Sequence, residues 1–184
     1  MQPSPTHPFV FLDRDGTIVE DRHFLADPAG VILCPRSGDG LRRLQQAGYR
    51  LVVVSNQSGV GRGLFNEDAV RAVNDRMATL LRDNGVTLAG IYWCPHAPEA
   101  NCDCRKPRAG QVQRALAELG GDRTGAWVIG DRPADLDLGR GLGLPTILVR
   151  TGYGRETEAA LPPPPSAVVD DLATAADYIL RTRV

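Results

Sequence analysis

The sequence predicts an α/β fold built on a doubly wound, mainly parallel sheet. Short apolar runs rich in β-branched and aromatic residues recur along the chain, and amphipathic stretches separate them. This alternation is typical of a parallel sheet whose two faces are covered by helices. The chain has 184 residues and no internal repeat, a length at which one hydrophobic core suffices. We therefore predict a single domain over residues 1–184.

Each predicted strand is short, apolar and followed by polar or glycine-containing sequence. The strands are expected at Phe9–Leu12, Leu51–Val54, Ile91–Trp93, Trp127–Ile129 and Thr146–Val149, with an edge strand at Ala167–Val169. Helices are expected at Gly38–Ala47, Asn66–Asn84, Gly110–Leu119, Ala134–Leu142 and Leu172–Leu180. In such sheets the active site lies beyond the carboxyl ends of the strands, and polar clusters follow the first four strands.

The first cluster is Asp13-Arg14-Asp15-Gly16-Thr17. Two carboxylates one residue apart repel each other unless a cation lies between them, and Mg²⁺ prefers carboxylate and phosphate oxygens. One aspartate can then attack phosphorus while the other exchanges protons with the leaving group and with water. The alternative is an acidic turn that caps a helix, which the preceding apolar strand and the following Thr17 disfavour.

The second cluster, Ser55-Asn56-Gln57-Ser58-Gly59, offers a hydroxyl and backbone amides to phosphate oxygens. Alone it is a weak signal, because polar turns after strands are common. The nearby glycines from Gly59 to Gly63 fit neither the dinucleotide pattern nor the P-loop pattern. We therefore expect no nucleotide-binding loop here.

The third cluster pairs Cys94-Pro95-His96 with Cys102-Asp103-Cys104. Three cysteines and one histidine form a ligand set for tetrahedral Zn²⁺, and no open coordination position is evident. We therefore predict a structural zinc ion that orders the loop at residues 94–104. The alternatives are reduced thiols without a metal and a redox role, which the absence of a Cys-x-x-Cys motif disfavours.

Two basic residues, Arg105 and Lys106, follow the zinc loop, and Lys106 is the only lysine in the chain. A compact ammonium group in a tight site is a place where arginine cannot substitute, although a chance position on a surface loop is equally compatible with this count. We expect Lys106 to neutralise the nucleophile and the phosphoryl group, and Arg105 to bind a substrate oxygen.

The fourth cluster, Gly130-Asp131-Arg132-Pro133-Ala134-Asp135, follows the fourth strand. Asp131 is positioned to complete the Mg²⁺ site, with helix N-capping as the alternative. Arg132 is a candidate substrate contact, and Asp135 is expected to cap the next helix or support the site. His23 lies in the loop after the first cluster, where either exposure to solvent or contact with substrate is expected.

The formal net charge of −1 gives no general attraction to nucleic acid or to an anionic membrane. No apolar run is long enough to span a bilayer. The opening segment, Met1–Pro8, lacks the basic start and apolar run of a signal peptide. We therefore expect a cytoplasmic, monomeric enzyme that binds neither nucleic acid nor membranes.

Together the four clusters resemble the signature motifs of the haloacid dehalogenase superfamily. Within it, the motifs from Phe9 to Gly154 resemble those of the D-glycero-D-manno-heptose 1,7-bisphosphate 7-phosphatase family and, closely related, the histidinol phosphatases. The resemblance implies a haloacid dehalogenase-like Rossmannoid fold. It also implies Mg²⁺-dependent hydrolysis of a phosphomonoester on a small phosphorylated sugar, in a pathway that supplies heptose for surface polysaccharides such as lipopolysaccharide.

The resemblance also implies a role for each site residue. Asp13 would be the nucleophile, Asp15 the acid and base, and Ser55 and Lys106 would stabilise the phosphoryl group. Mg²⁺ would be held by Asp13, Asp131 and the backbone carbonyl of Asp15, and Zn²⁺ by Cys94, His96, Cys102 and Cys104. Substrate contacts would come from Asp21, Arg22, His23, Phe24, Asn56, Gln57, Arg105 and Arg132.

This sequence departs from the family pattern in several places. Ser55 replaces the usual threonine and keeps its hydroxyl, and Arg132 stands where lysine is frequent. The segment between Asp15 and Ser55 is too short for a large cap domain, so we expect an open site.

Two other functions remain as alternatives. A histidinol-phosphate phosphatase binds a cationic substrate, and only Glu20 and Asp21 suggest an acidic pocket. A non-catalytic, zinc-stabilised binding module would lack a catalytic aspartate, and none is missing.

Overall fold

The computed structural model describes residues 7–160 and 164–182. Most of the segment on which the signal-peptide prediction rests, residues 1–6, lies outside that part. The strands, labelled in chain order, are β1 (Phe9–Leu12), β2 (Arg50–Asn56), β3 (Gly90–Cys94), β4 (Trp127–Gly130), β5 (Thr146–Val149) and β6 (Ala167–Val169). All six were predicted, and three of them extend one or two residues beyond the predicted bounds.

The six strands form one sheet in the order β3-β2-β1-β4-β5-β6, and every neighbouring pair is parallel. Strands β2 and β3 therefore follow β1 towards one edge of the sheet. After β3 the chain returns to the other side of β1, where β4, β5 and β6 extend to the opposite edge. The switch point lies between β1 and β4, which is where open α/β sheets of this kind bind their ligands.

Helices connect the strands and cover the sheet. They are α1 (Ser37–Gln46), α2 (Ser58–Gly61), α3 (Glu67–Asp83), α4 (Gly110–Leu119), α5 (Pro133–Leu142), α6 (Gly154–Ala159) and α7 (Leu172–Thr182). Asn66 caps α3 as predicted, because its side-chain oxygen accepts a hydrogen bond from Ala69 N at 3.0 Å. The short helices α2 and α6 were not predicted, since neither is long enough to show an apolar period.

Apolar side chains alternate along the strands and form one core on each face of the sheet. In β1, Val10 and Leu12 join the core beneath α1, α3 and α7, whereas Phe9 and Phe11 join the core beneath α4 and α5. This period of two distributes a continuous apolar run over both faces. The doubly wound parallel sheet is therefore confirmed.

Residues 13–36, between β1 and α1, contain isolated β-bridges and a single 3₁₀ turn at Pro28–Gly30. No large cap domain is inserted there, as predicted, so the carboxyl ends of the strands stay accessible. None of the helices in the described part of the chain is long and apolar enough to cross a membrane.

Candidate active site

A cavity of about 450 Å³ opens at the carboxyl ends of the central strands. Its size falls in the range of small-molecule sites. It is lined by Asp13, Asp15, Asp21, His23, Phe24, Leu25, Ser55, Asn56, Gln57, Ser58, Arg105, Lys106, Arg132, Ala134, Asp135 and Tyr153. The segments after β1, β2 and β4 each contribute residues to this lining, and Arg105 and Lys106 reach it from the loop after β3.

Lys106 bridges two carboxylates on the cavity floor. Its Nζ donates hydrogen bonds to Asp13 Oδ1 at 2.8 Å and to Asp135 Oδ1 at 2.6 Å, and all three side chains are buried. Burial alone would lower the pKa of Lys106, but the two carboxylates outweigh it and raise the pKa. Burial also raises the pKa of Asp13, although the neighbouring ammonium opposes this shift.

Asp131 is fully buried directly after β4 and is oriented by its surroundings. Its Oδ1 accepts a hydrogen bond from Thr17 Oγ1 at 3.4 Å, and its Oδ2 accepts one from Tyr153 N at 2.8 Å. Gly16 and Gly152 crowd the same carboxylate, because a Cβ built on either would lie 2.3 Å from Oδ2. Burial and the negative charges of Asp13 and Asp135 raise the pKa of Asp131 to about 8.

The chemistry of these donors fits a hard divalent cation. Carboxylate oxygens of Asp13, Asp131 and Asp135 lie within 4.8 Å of one another, and the Lys106 ammonium group pairs with Asp13 and Asp135. Asp135 is already engaged, because its Oδ2 accepts a hydrogen bond from Arg132 N at 3.0 Å. The three carboxylates together form an oxygen-donor set of the kind that Mg²⁺ prefers.

Asp15 lies on the cavity wall and is held by a buried arginine. Its carboxylate accepts hydrogen bonds from Arg14 Nε at 3.0 Å and Nη2 at 3.1 Å, and from Gln57 Nε2 at 2.8 Å. Arg14 is 1% exposed and also donates to Asn74 Oδ1 at 2.9 Å. These hydrogen bonds fix Asp15 at the edge of the cavity, where its carboxylate lines the space that a substrate would occupy.

Polar side chains after β2 tie the cavity to the loop that carries Lys106. Asn56 makes two hydrogen bonds with the backbone of Lys106, at 3.0 Å and 3.1 Å, and Gln57 Nε2 donates to Ser55 Oγ at 2.7 Å. Gln111, on α4, accepts from Ser55 N at 2.8 Å and donates to Cys104 O at 2.9 Å. Sequence reasoning missed Gln111, because no motif surrounds it.

The four predicted zinc ligands converge. Sulfur–sulfur distances among Cys94, Cys102 and Cys104 are 3.1–3.4 Å, and His96 Nδ1 lies 3.6 Å from Cys94 Sγ and 3.3 Å from Cys104 Sγ. All three cysteines are free. A tetrahedral zinc site with Zn–S bonds of about 2.3 Å has edges of about 3.8 Å. The donor type and number fit zinc, and the sulfur atoms lie closer together than those edges.

Four residues form one connected group at the cavity rim: Asp21, His23, Arg132 and Tyr153. Arg132 Nη2 donates to Asp21 Oδ2 at 2.8 Å, and His23 N donates to Asp21 Oδ1 at 2.9 Å. Partial burial alone would raise the pKa of Asp21, but these hydrogen bonds and the Arg132 charge lower it. The Arg132 guanidinium lies 3.8 Å from the centroid of the Tyr153 ring, and the Tyr153 hydroxyl is 3.2 Å from His23 Nδ1.

The loop that carries His23 has an unusual backbone. His23 and Phe24 adopt φ angles of 44° and 54°, a left-handed conformation that is uncommon for such residues. Both side chains line the cavity.

The two predicted arginine contacts Arg22 and Arg105 differ in position. Arg22 is not among the lining residues and pairs with Glu20 at 3.2 Å. Arg105 lines the cavity and donates to His96 O at 3.3 Å.

The structure therefore brings most of the predicted site residues to one cavity and leaves Arg22 outside its lining. Asp131 lies behind the cavity floor, and the four zinc ligands form a separate cluster. Tyr153 lines the cavity but was not predicted. It follows β5, after which the sequence shows no recognisable motif.

Comparisons with known proteins point to a family of phosphatases. The family model for polynucleotide kinase 3 phosphatase matches residues 8–131, and the HAD-hydrolase-like model matches residues 103–175. The D-glycero-beta-D-manno-heptose-1,7-bisphosphate 7-phosphatase of Pseudomonas aeruginosa is 34% identical over 173 residues, which cover 94% of this chain and 97% of that protein. The enzyme of the same name from Haemophilus ducreyi is 42% identical over 78% of this chain and 83% of its own.

A solved structure is similar over nearly its whole length. The D,D-heptose 1,7-bisphosphate phosphatase from B. bronchiseptica, complexed with magnesium and phosphate, is 35% identical with a TM-score of 0.88, covering 95% of this chain and 99% of that one. By fold, motifs and these relatives, the chain belongs to the haloacid dehalogenase-like phosphatases, in the family of the D-glycero-D-manno-heptose 1,7-bisphosphate 7-phosphatases.

Proposed function

We propose that this protein is a Mg²⁺-dependent phosphatase that forms an aspartyl-phosphate on Asp13. We further propose that it removes the 7-phosphate of D-glycero-D-manno-heptose 1,7-bisphosphate. The observation that carries the mechanism is the Asp13–Lys106 pair on the floor of an open cavity, with Asp131 behind it. A carboxylate in such a place is a nucleophile whose negative charge is balanced by fixed cations, so an anionic phosphate can approach it.

The reaction divides into two displacements at phosphorus. In the first, an Asp13 oxygen bonds to phosphorus, the bond to the sugar oxygen breaks, and Asp15 gives that oxygen a proton. In the second, Asp15 removes a proton from water, water oxygen bonds to phosphorus, and the bond to Asp13 breaks. Lys106 and the Ser55 hydroxyl stabilise the phosphoryl oxygens. Mg²⁺, held by Asp13, Asp131 and the Asp15 carbonyl, would add charge compensation for the phosphoryl group.

A heptose bisphosphate suits the cations of this cavity. Lys106 serves the reacting phosphate at the floor, while Arg105 and Arg132 line the wall and can bind the other phosphate or sugar oxygens. Asn56, Gln57, His23 and Phe24 complete the proposed contacts. A histidinol phosphate would need a free carboxylate for its cationic end, but Asp21 is already paired with Arg132 at 2.8 Å.

We also propose one phosphatase domain over residues 1–184, with a structural zinc ion on the loop at 94–104. Converging free thiols and an imidazole support the zinc ion. Free thiols also suit a reducing compartment, and we propose a cytoplasmic location. A monomer is the simplest assembly, since one chain supplies all the residues that the proposed reaction uses.

The proposed function is tested by phosphate release in the presence of Mg²⁺. The α- and β-anomers of D-glycero-D-manno-heptose 1,7-bisphosphate, histidinol phosphate and an aryl phosphate are compared in parallel. A higher kcat/KM for one heptose anomer supports the proposal and identifies the anomer. A preference for histidinol phosphate would refute the substrate and keep the mechanism. No release from any of them would favour a non-catalytic binding module.

A further inference from the structure

Tyr153 is in a position to control Arg132. The plane of its ring supports the Arg132 guanidinium at 3.8 Å, and Asp21 holds the guanidinium edge through a 2.8 Å hydrogen bond. A long arginine side chain at a cavity rim is otherwise free to sample many rotamers. Two contacts of different kinds, one on the face and one on the edge, fix both the position and the plane of the guanidinium.

The Tyr153 ring suits an arginine at position 132. A planar guanidinium stacks on an aromatic face, whereas the ammonium group of a lysine is a compact point charge that gains less from a flat partner. Arg132 and Tyr153 thus act as a pair.

Tyr153 is anchored independently of its side chain. Its backbone N–H donates to Asp131 Oδ2 at 2.8 Å, whereas the contact of 3.2 Å with His23 Nδ1 is made by its side-chain hydroxyl. Substitution of the side chain leaves the backbone contact to Asp131 in place. The effect of the ring can therefore be measured separately from the metal site.

We propose that Tyr153 is a positioning residue that sets substrate discrimination by holding Arg132 against the cavity wall, where Arg132 binds the non-reacting end of the substrate. This inference rests on the proposed function. A guanidinium has five N–H donors, and the Asp21 contact uses only part of that set. The group it would bind is an anion or a set of sugar hydroxyls, so Tyr153 affects substrates that have such an end and has less effect on those that lack it.

The test compares kcat/KM for heptose bisphosphate with kcat/KM for a small aryl phosphate, and the ratio of the two is the readout. Tyr153→Leu should lower this ratio by roughly 3- to 30-fold, the range of one cation–π contact, and the loss should come from KM. Tyr153→Phe keeps the ring and should restore the ratio to within about two-fold of wild type. Tyr178→Leu, which removes a tyrosine packed against Trp127, is the matched control and should leave the ratio unchanged.

A double-mutant cycle tests whether Tyr153 acts through Arg132. In an Arg132→Lys background, Tyr153→Leu should change the ratio by less than about two-fold, because the stacking partner is already gone. Three results would each overturn the inference. They are an equal loss on both substrates, a Tyr153→Phe variant as impaired as Tyr153→Leu, and an undiminished effect of Tyr153→Leu in the Arg132→Lys background. The wild-type rates alone test the proposed function. A preference for histidinol phosphate in those rates would refute the proposed substrate and the inference that rests on it, because Arg132 would not bind a cationic end. A preference for heptose bisphosphate with an unchanged ratio in Tyr153→Leu would refute the inference alone.

Discussion

The Nζ of Lys106 lies 2.8 Å from Oδ1 of Asp13, and both side chains are less than one tenth exposed. Lys106 is the chain's only lysine among 21 basic residues of the lysine and arginine types. Its ammonium group also reaches Asp135 at 2.6 Å, in a space bounded by two carboxylates. These two short contacts suit a compact ammonium group better than a planar guanidinium, whose donors are fixed in a fork.

Replacing Lys106 should affect stability and catalysis together. Lys106→Met leaves Asp13 and Asp135 buried without their cation, so we expect the free energy of unfolding to fall by about 3–5 kcal/mol. We expect kcat to fall by roughly 10²- to 10³-fold, the usual effect of removing one group that stabilises transition-state charge. Urea unfolding and steady-state kinetics measure the two effects.

Lys106→Arg should keep the charge and still lose most of the rate, because the fork does not fit between the two carboxylates. Arg114→Met, an exposed change on α4, is the control and should alter stability by no more than about 0.5 kcal/mol. Normal kinetics in Lys106→Arg would contradict the geometric argument.

Asp13→Asn should abolish turnover while leaving the fold intact. Asparagine has the same shape and its oxygen can still accept the Lys106 hydrogen bond, but an amide does not attack phosphorus. We expect kcat to fall by about 10⁴-fold or more, as for other lost nucleophiles. Phosphate release and circular dichroism measure activity and fold.

Asp137→Asn, on the exposed side of α5, is the matched control for that change. It removes a carboxylate that pairs with Arg140 at 2.7 Å outside the cavity. Its rate should match wild type. Full activity in Asp13→Asn would remove the covalent mechanism.

The sequence was sufficient to predict the sheet and most of the cavity, for a physical reason. A parallel sheet brings the carboxyl ends of its strands to one edge, so polar residues such as Asp13, Ser55 and Asp131 converge wherever they lie in the chain. Strand β2 continues through Ser55 and Asn56, because they pair with Trp93 and Cys94 of β3. The sequence-based prediction ended β2 at Val54 because Ser55 and Asn56 are polar. A polar residue at a strand end can still have its backbone paired in the sheet.

Residues whose role depends on tertiary contacts could not be predicted. Gln111 touches Ser55 across 56 positions of sequence, and Tyr153 reaches His23 across 130. Neither residue lies in a motif. The pairing of β4 with β5 brings Tyr153 beside Asp131, and strand order does not follow from local periodicity.

Removing zinc should loosen the loop that carries Arg105 and Lys106. The polar segment from Ala97 to Asn101 has little apolar surface of its own, so the metal would supply its ordering energy. After chelation we expect faster hydrogen exchange over residues 97–106 and a lower kcat. Metal analysis should find one zinc ion per chain, and Cys102→Ser should mimic chelation. A zinc-free protein that kept both its exchange protection and its rate would contradict this prediction.

Mg²⁺ should stabilise the protein more at pH 8 than at pH 6. The folded-state pKa of Asp131 is raised to about 8, far above the value of about 4 expected for an unfolded aspartate. In metal-free protein, Asp131 therefore disfavours folding increasingly as the pH rises from about 4 towards 8, because the ionised form is buried near other carboxylates. Mg²⁺ binds that ionised form, and its binding must displace the proton below pH 8.

The Mg²⁺-induced rise in Tm should therefore grow between pH 6 and pH 8 and level off above pH 8. Asp131→Asn should remove both the rise and its pH dependence, and a Tm gain equal at the two pH values would show that Asp131 is not the titrating ligand.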